Sequence, residues 1–315
     1  MSYRPSYPRN ARPPVSQRTY LLRRVGAIGL LVVGVLAAVT VFQAAFGGSE
    51  PSRANAVPPA TSLVVSAGGS TITAGPTTST TSPPKERTTP TPDNKALLLI
   101  AGDSDAGTFG PYLETLLDQT GLVETHLDYK VSSGLSRPDF YDWPAHFNEI
   151  LPQVNPDIVV VTFGGNDAQG LSVADGTFIH NQPNGDAEHD AAWREEYGRR
   201  VGVTMDQLLA GGRTIVWVGI PNDDNPEVTA RMQVQDEVVK AEAAKRPKVI
   251  MIDTGARFSG RNGGWAEFVI DPRDGIGKDV RGDDGFHLNV AGAEILALDI
   301  AEAVRQELRD RGATL

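Results

Sequence analysis

The segment Ala96 to Gly110, ALLLIAGDSDAGTFG, most narrows the folds open to this chain. Leu97, Leu98, Leu99 and Ile100 form a continuous apolar block, the composition of a strand buried on both faces and hence of a parallel sheet covered by helices. Ala101 and Gly102 close the block, and Asp103, Ser104 and Asp105 follow at its carboxyl edge. Gly107, Gly110 and Pro111 then predict the opening of a helix that reaches about Thr120. A serine so placed lies on a strand-to-helix turn. Open α/β sheets bind ligands at that edge, and a helix N-terminus beside the serine favours developing negative charge. Taken alone, Gly-Asp-Ser is also an ordinary turn.

The chain from Lys95 onward repeats the alternation of apolar runs and helical patterns that marks an α/β domain with a parallel sheet. Thr125 to Val131 reads as a second strand, Trp143 to Gln153 as a helix, and Asp157 to Phe163, DIVVVTF, as the clearest strand of all. Trp193, Tyr197, Val201, Met205 and Leu208 recur at helical spacing, which predicts a long helix from Asp190 to Ala210 closed by Gly211 and Gly212. Strands at Thr214 to Gly219 and Lys248 to Ile252 and helices at Pro226 to Ala244 and Val290 to Arg309 complete the series. Two polar, Gly-rich connections, Gln169 to His189 and Thr254 to Asp284, have the length of loops that are either functional or disordered. The first leaves its strand directly after Asn166 and Asp167, a position from which it would cover a site and shape its selectivity.

Ahead of this domain the composition changes twice. Met1 to Arg24 holds six arginines and no acid, and reads as a disordered basic tail. Val25 to Phe46 is 22 residues without a charge, long enough for a bilayer span of about 20 residues. With arginines on its N-terminal side, the span leaves the tail in the cytoplasm and the remainder outside. The alternative is a cleaved signal peptide, for which Ala54-Asn55-Ala56 has the small-x-small form. That site lies well past the apolar run, whose length favours an uncleaved anchor. Gly47 to Asn94, rich in Ser, Thr and Pro, then reads as a flexible linker. The whole chain carries −10, and the tail accounts for +6 of that, so the rest carries −16. Such a body argues against nucleic acid as a partner, since phosphate binding relies on Lys and Arg. The absence of cysteine excludes disulfides, thiolate metal sites, a cysteine nucleophile and a lipid anchor on cysteine.

Serine catalysis needs a base for the hydroxyl proton, an acid to orient that base and donors aimed at the oxyanion. His287 has a carboxylate three residues before it in Asp284-Gly285-Phe286-His287, close enough for one turn to hold the pair, although Asp283 is adjacent to Asp284. Gly164-Gly165-Asn166-Asp167 follows the third strand and so emerges on the same sheet edge as Ser104. The Asn166 amide there is either an oxyanion donor or a turn cap. Gly134, after the second strand, offers a backbone N–H. The acids at Asp223, Asp224, Asp271 and Asp274 follow no metal-ligand spacing rule and read as solvated loops.

With these four blocks in this order the chain resembles the SGNH, or GDSL-type, hydrolases. Gly102-Asp103-Ser104 matches the nucleophile block, Gly134 the glycine block, Gly164-x-Asn166-Asp167 the asparagine block, and Asp284-x-x-His287 the acid and base block. The resemblance spans about Lys95 to Arg309 and departs at Asp105, where the family usually has leucine. It implies a three-layer α/β/α sandwich around a five-stranded parallel sheet, flavodoxin-like, over a catalytic domain 95–315. It also implies Ser104 as nucleophile, His287 as general base and Asp284 as orienting acid. Oxyanion donors would be the Ser104 N–H, the Gly134 N–H and the Asn166 side chain. No cofactor or metal is implied. The expected function is an extracytoplasmic, membrane-anchored serine esterase acting on an O-acyl group, acetyl among the candidates, of an envelope glycan or lipid. An O-acyltransferase with the same triad and a catalytically silent envelope-binding domain are the alternatives.

Overall fold

The computed structural model describes residues 88–315. Along the chain lie β1 (Ala96–Gly102), α1 (Ser104–Asp118), β2 (Val123–Tyr129), α2 (Trp143–Val154), β3 (Ile158–Thr162), β4 (Leu171–Ser172), β5 (Phe178–His180), α3 (Ala187–Leu209), β6 (Thr214–Val218), α4 (Pro226–Ala243), β7 (Val249–Ile252), α5 (Thr254–Arg257), β8 (Phe268–Ile270), β9 (Gly277–Asp279) and α6 (Val290–Asp310). Five of the strands make one sheet in the order β2-β1-β3-β6-β7, every pairing parallel. The chain leaves β1 for β2 on one side and then crosses to β3 on the other. The carboxyl ends of β1 and β3 therefore form the crevice where such sheets bind ligands. The predicted tail, span and nearly all of the linker, 1–87, lie outside the described residues.

Each central strand sends alternate side chains to opposite faces, as its period of two requires. Leu98, Ile100, Ile158, Val160, Val216 and Val218 pack with α1 and α6. Their neighbours Leu99, Ala101, Val159, Val161, Ile215 and Trp217 pack with α2, α3 and α4. Two cores on one sheet make the three-layer α/β/α sandwich that the family resemblance implies. The rings of Trp143, Phe147, Phe163 and Trp217 form an edge-and-tilt chain across the second core, with neighbouring centroids 5.2 to 5.8 Å apart along Phe147, Trp143, Phe163 and Trp217.

Three details differ from the sequence expectation. α1 starts at Ser104 itself, capped by Asp103, whose side chain accepts from the Asp105 N–H at 3.0 Å. Gly107 and Gly110 mark close packing instead: a Cβ on them would lie 2.6 Å from the Tyr129 ring and 2.7 Å from the Leu127 side chain. β2 lies two residues earlier than predicted, because its register is set by pairing Val123 to Tyr129 with Ala96 to Gly102. The long connections are also structured: Gln169 to His189 contains the β4–β5 hairpin, and Thr254 to Asp284 contains α5 and the β8–β9 hairpin. Among the described residues no helix is long and apolar enough to cross a membrane.

Candidate active site

Ser104 is the first residue of α1, so its hydroxyl stands at the end of β1 over the switch point. Its Oγ lies 2.9 Å from His287 Nε2, and His287 Nδ1 lies 2.6 Å from Asp284 Oδ2. In the neutral tautomer that serves both contacts, Nδ1 carries the proton and donates it to Asp284, leaving Nε2 to accept from the serine. Partial burial pushes the Asp284 carboxyl up, but hydrogen bonds from the His287 ring and from the Phe286 and His287 N–H groups outweigh it and hold the pKa below the usual carboxylate value.

The segment that presents this pair is anchored from below. Arg281, 6% exposed, donates to the carbonyls of Ala266, Phe286 and Phe258, each at 3.0 Å. The Gly285 carbonyl accepts from Trp265 Nε1 at 2.7 Å and from the Asp224 N–H at 3.2 Å. Asp283, beside the acid, is exposed and holds no part of the histidine.

On the other side of Ser104, the Asn166-Asp167 pair grips the glycine block. The Asn166 amide donates to the Ser133 carbonyl at 3.2 Å. Asp167, fully buried, accepts from the Leu135 N–H at 2.8 Å, the Ser136 N–H at 2.9 Å and the Tyr197 hydroxyl at 2.8 Å. Burial pushes the Asp167 carboxyl up against the pull of those donors. Its oxygen sits so close to Gly134 that a Cβ there would lie 1.9 Å away, which leaves glycine as the residue that fits. Trp143 Nε1 donates to Ser133 Oγ at 2.9 Å and pins the same loop from α2. The Ser133 carbonyl and the Gly134 N–H belong to one planar peptide, so holding the first fixes the direction of the second. Among the described residues neither the Ser104 N–H nor the Gly134 N–H is engaged in a hydrogen bond.

Asn166 does not cap its own turn. The 164–167 turn is closed by the Asp167 N–H on the Gly164 carbonyl at 3.1 Å, while the Asn166 side chain reaches across to another segment. The structure thus brings Ser104, His287, Asp284, Gly134 and Asn166 to one edge of the sheet.

Asp103, Asp167, Tyr197 and Arg281 hold this arrangement without having been singled out for it by the sequence. Asp103 ties β1 to β3 by accepting from the Gly164 N–H at 3.2 Å, and burial followed by the adjacent Asp105 carboxyl pushes it well above the usual range. Of the four acids read as solvated loops, Asp271 is instead buried and paired with Arg273 at 2.8 Å. No cluster of three or more potential metal ligands occurs among the described residues.

Asp105 occupies an apolar place. It lies 7% exposed beside Phe109, Val218, Pro221, Leu288 and Leu296, and its Oδ2 has no hydrogen-bond partner. Burial and the Asp284 charge push its pKa up to about 7 against the pull of Arg281. The folded chain therefore holds a proton that an unfolded aspartate has lost, so stability falls as pH rises from the unfolded value toward 7. We expect Asp105→Leu to be the more stable protein at about pH 8, by roughly 2–4 kcal/mol, and to converge with the parent near pH 4. Urea unfolding at both pH values measures the difference. Equal stability at the higher pH would show that the carboxyl is not a burden to the fold.

A family model described as "Protein of unknown function (DUF459)" matches residues 97–303. No curated protein matches the chain. Similar solved structures include a carbohydrate esterase family 3 protein from Talaromyces cellulolyticus, 15% identical, with a TM-score of 0.47 over 68% of this chain and 99% of that one. An acetylxylan esterase from Geobacillus stearothermophilus is 17% identical, with a TM-score of 0.46 over 70% and 95%. A GDSL-like lipase from Bacteroides thetaiotaomicron is 15% identical, with a TM-score of 0.45 over 70% and 92%.

Proposed function

Because the chain belongs to the DUF459 family, a family described only as of unknown function, we propose an activity from the site itself: a serine esterase that hydrolyses O-acyl esters. The observation that carries this reading is the continuous relay from Ser104 Oγ to His287 Nε2 at 2.9 Å and from His287 Nδ1 to Asp284 at 2.6 Å. His287 takes the hydroxyl proton as Ser104 attacks the ester carbonyl, and the resulting imidazolium returns it to the departing alkoxide. Water, deprotonated by the same imidazole, then attacks the acyl carbonyl, and the imidazolium returns that proton to Ser104 Oγ as the carboxylic acid leaves. Charge on the carbonyl oxygen is met by the N–H groups of Ser104 and Gly134 and by the Asn166 amide, with the N-terminus of α1 behind them.

The reading puts the domain outside the cytoplasm on an uncleaved anchor, supported by the arginine-rich tail and the uncharged run Val25 to Phe46. Its substrate is then an acyl ester of an envelope glycan or lipid, a class that follows from that location.

Treatment with a serine-directed fluorophosphonate tests the reading. We expect one stable adduct, on Ser104 by mass spectrometry, and none in His287→Ala. An unlabelled Ser104 in folded protein would make the domain a binding module.

A further inference from the structure

Next to the glycine block lies a cavity of about 330 Å³ that Gly134 itself helps to line. Leu135 and Pro138 of the glycine loop, Tyr141 and Trp143 at the start of α2, Val173 beyond β4 and Val203 on α3 supply its walls. Its arginines, Glu196 and the Trp143 indole are already committed, and Asp142 caps α2 through the Ala145 N–H. Arg200 donates to Glu196 and to the carbonyls of Leu135, Ser136 and Ser172. Arg199 is joined to both carboxylate oxygens of Glu196, and the Trp143 indole N–H to Ser133. A sugar hydroxyl entering here would find few free partners for the water it gives up, a net cost, whereas a hydrocarbon needs none.

We propose that this cavity is the acyl subsite and that it takes a medium-length hydrocarbon chain in preference to acetyl, an assignment that rests on the esterase reading. Gly134 connects the two: its N–H faces the ester oxygen in that reading, and its backbone borders the cavity. The alcohol half of a glycan or lipid ester is rich in polar groups, so only the acyl half matches these walls. A cavity of about 150 Å³ holds the six carbons of benzene, so at the same density one of 330 Å³ holds roughly thirteen, and about ten once the extra hydrogens of methylenes are counted. The β4–β5 hairpin contributes Val173 to the wall, which gives the Gln169 to His189 connection a part in selectivity.

The test uses the full-length protein and esters of one leaving group with acyl chains from two to twelve carbons. We expect kcat/KM to rise about two- to fourfold per added methylene until the cavity is filled near ten carbons. Val203→Trp, a substitution at a half-exposed position outside the reacting groups, fills the space from its wall. It should cut kcat/KM for the ten-carbon ester at least tenfold and leave the acetyl ester unchanged. In parallel, decanoate is titrated into Ser104→Ala protein with and without Val203→Trp, where we expect saturable binding weakened at least tenfold by the tryptophan. An acetyl optimum indifferent to Val203→Trp, or length dependence on the alcohol side instead, overturns the subsite while the esterase reading stands. Val203-dependent decanoate binding with an unlabelled, inactive Ser104 overturns the esterase reading and leaves a hydrocarbon-binding cavity. Absence of decanoate binding in a folded protein overturns the cavity's assignment whatever the kinetics show.

Discussion

Asp284→Asn should lower kcat by about four orders of magnitude, or roughly 5 kcal/mol of transition-state stabilisation, while the domain stays folded and KM changes little. The asparagine carbonyl can still accept from the Phe286 and His287 N–H groups, which reach Asp284 Oδ1 at 3.0 Å in the native protein, so the turn survives. Its NH2 group, however, replaces the oxygen that faces His287 Nδ1 at 2.6 Å. A donor there forces the imidazole proton onto Nε2, the nitrogen that must accept from Ser104. The depressed pKa of Asp284 keeps it ionised well into acid, so its charge is constant through the working range. Asp283→Asn is the control, since Asp283 is exposed and one residue removed from the relay. Equal losses from the two substitutions would mean that the field of the acidic turn, not the contact with the imidazole, supports activity.

The parts of this molecule that were legible in its sequence are those fixed by neighbours along the chain. β1 and β3 are buried on both faces, so their apolar blocks announce them, and Asp284 sits one turn before His287. Edge strand β2 alternates charge and apolar residues, VETHLDY, and only its pairing with β1 sets where it begins. The glycines of α1 carry the signature of a helix start, yet they serve contact with Tyr129 and Leu127, which the sequence does not place beside them. Asp103 and Asp167 stand inside two of the sequence blocks, yet their work as clamps was not legible there, for the same reason. Asp167 holds N–H groups 31 and 32 residues away and Asp103 one 61 residues away, and such distances close only when the parallel sheet brings the ends of β1, β2 and β3 together. A carboxylate with several distant backbone partners has no local pattern to betray it.

Asn166→Ala should reduce kcat by a hundred- to a thousandfold, about 3 to 4 kcal/mol, with substrate binding little changed. Two losses combine in it. The amide that would meet the oxyanion disappears, and so does the hydrogen bond to the Ser133 carbonyl at 3.2 Å that sets the plane of the peptide bearing the Gly134 N–H. The effect therefore belongs toward the upper end of that range. Folding should be nearly unaffected, because the turn is closed by the Asp167 N–H on Gly164 and not by this side chain. Asn166→Asp separates the donor role from a merely structural one. A carboxylate keeps the size, but it faces the Ser133 carbonyl with an acceptor and stands beside the negative charge that develops during acyl transfer. The aspartate variant is thus expected to be at least as inactive as the alanine variant, while circular dichroism shows it folded. Activity retained by aspartate where alanine unfolds the domain would make Asn166 a purely structural residue, and the oxyanion would then be held by the backbone donors of Ser104 and Gly134 alone.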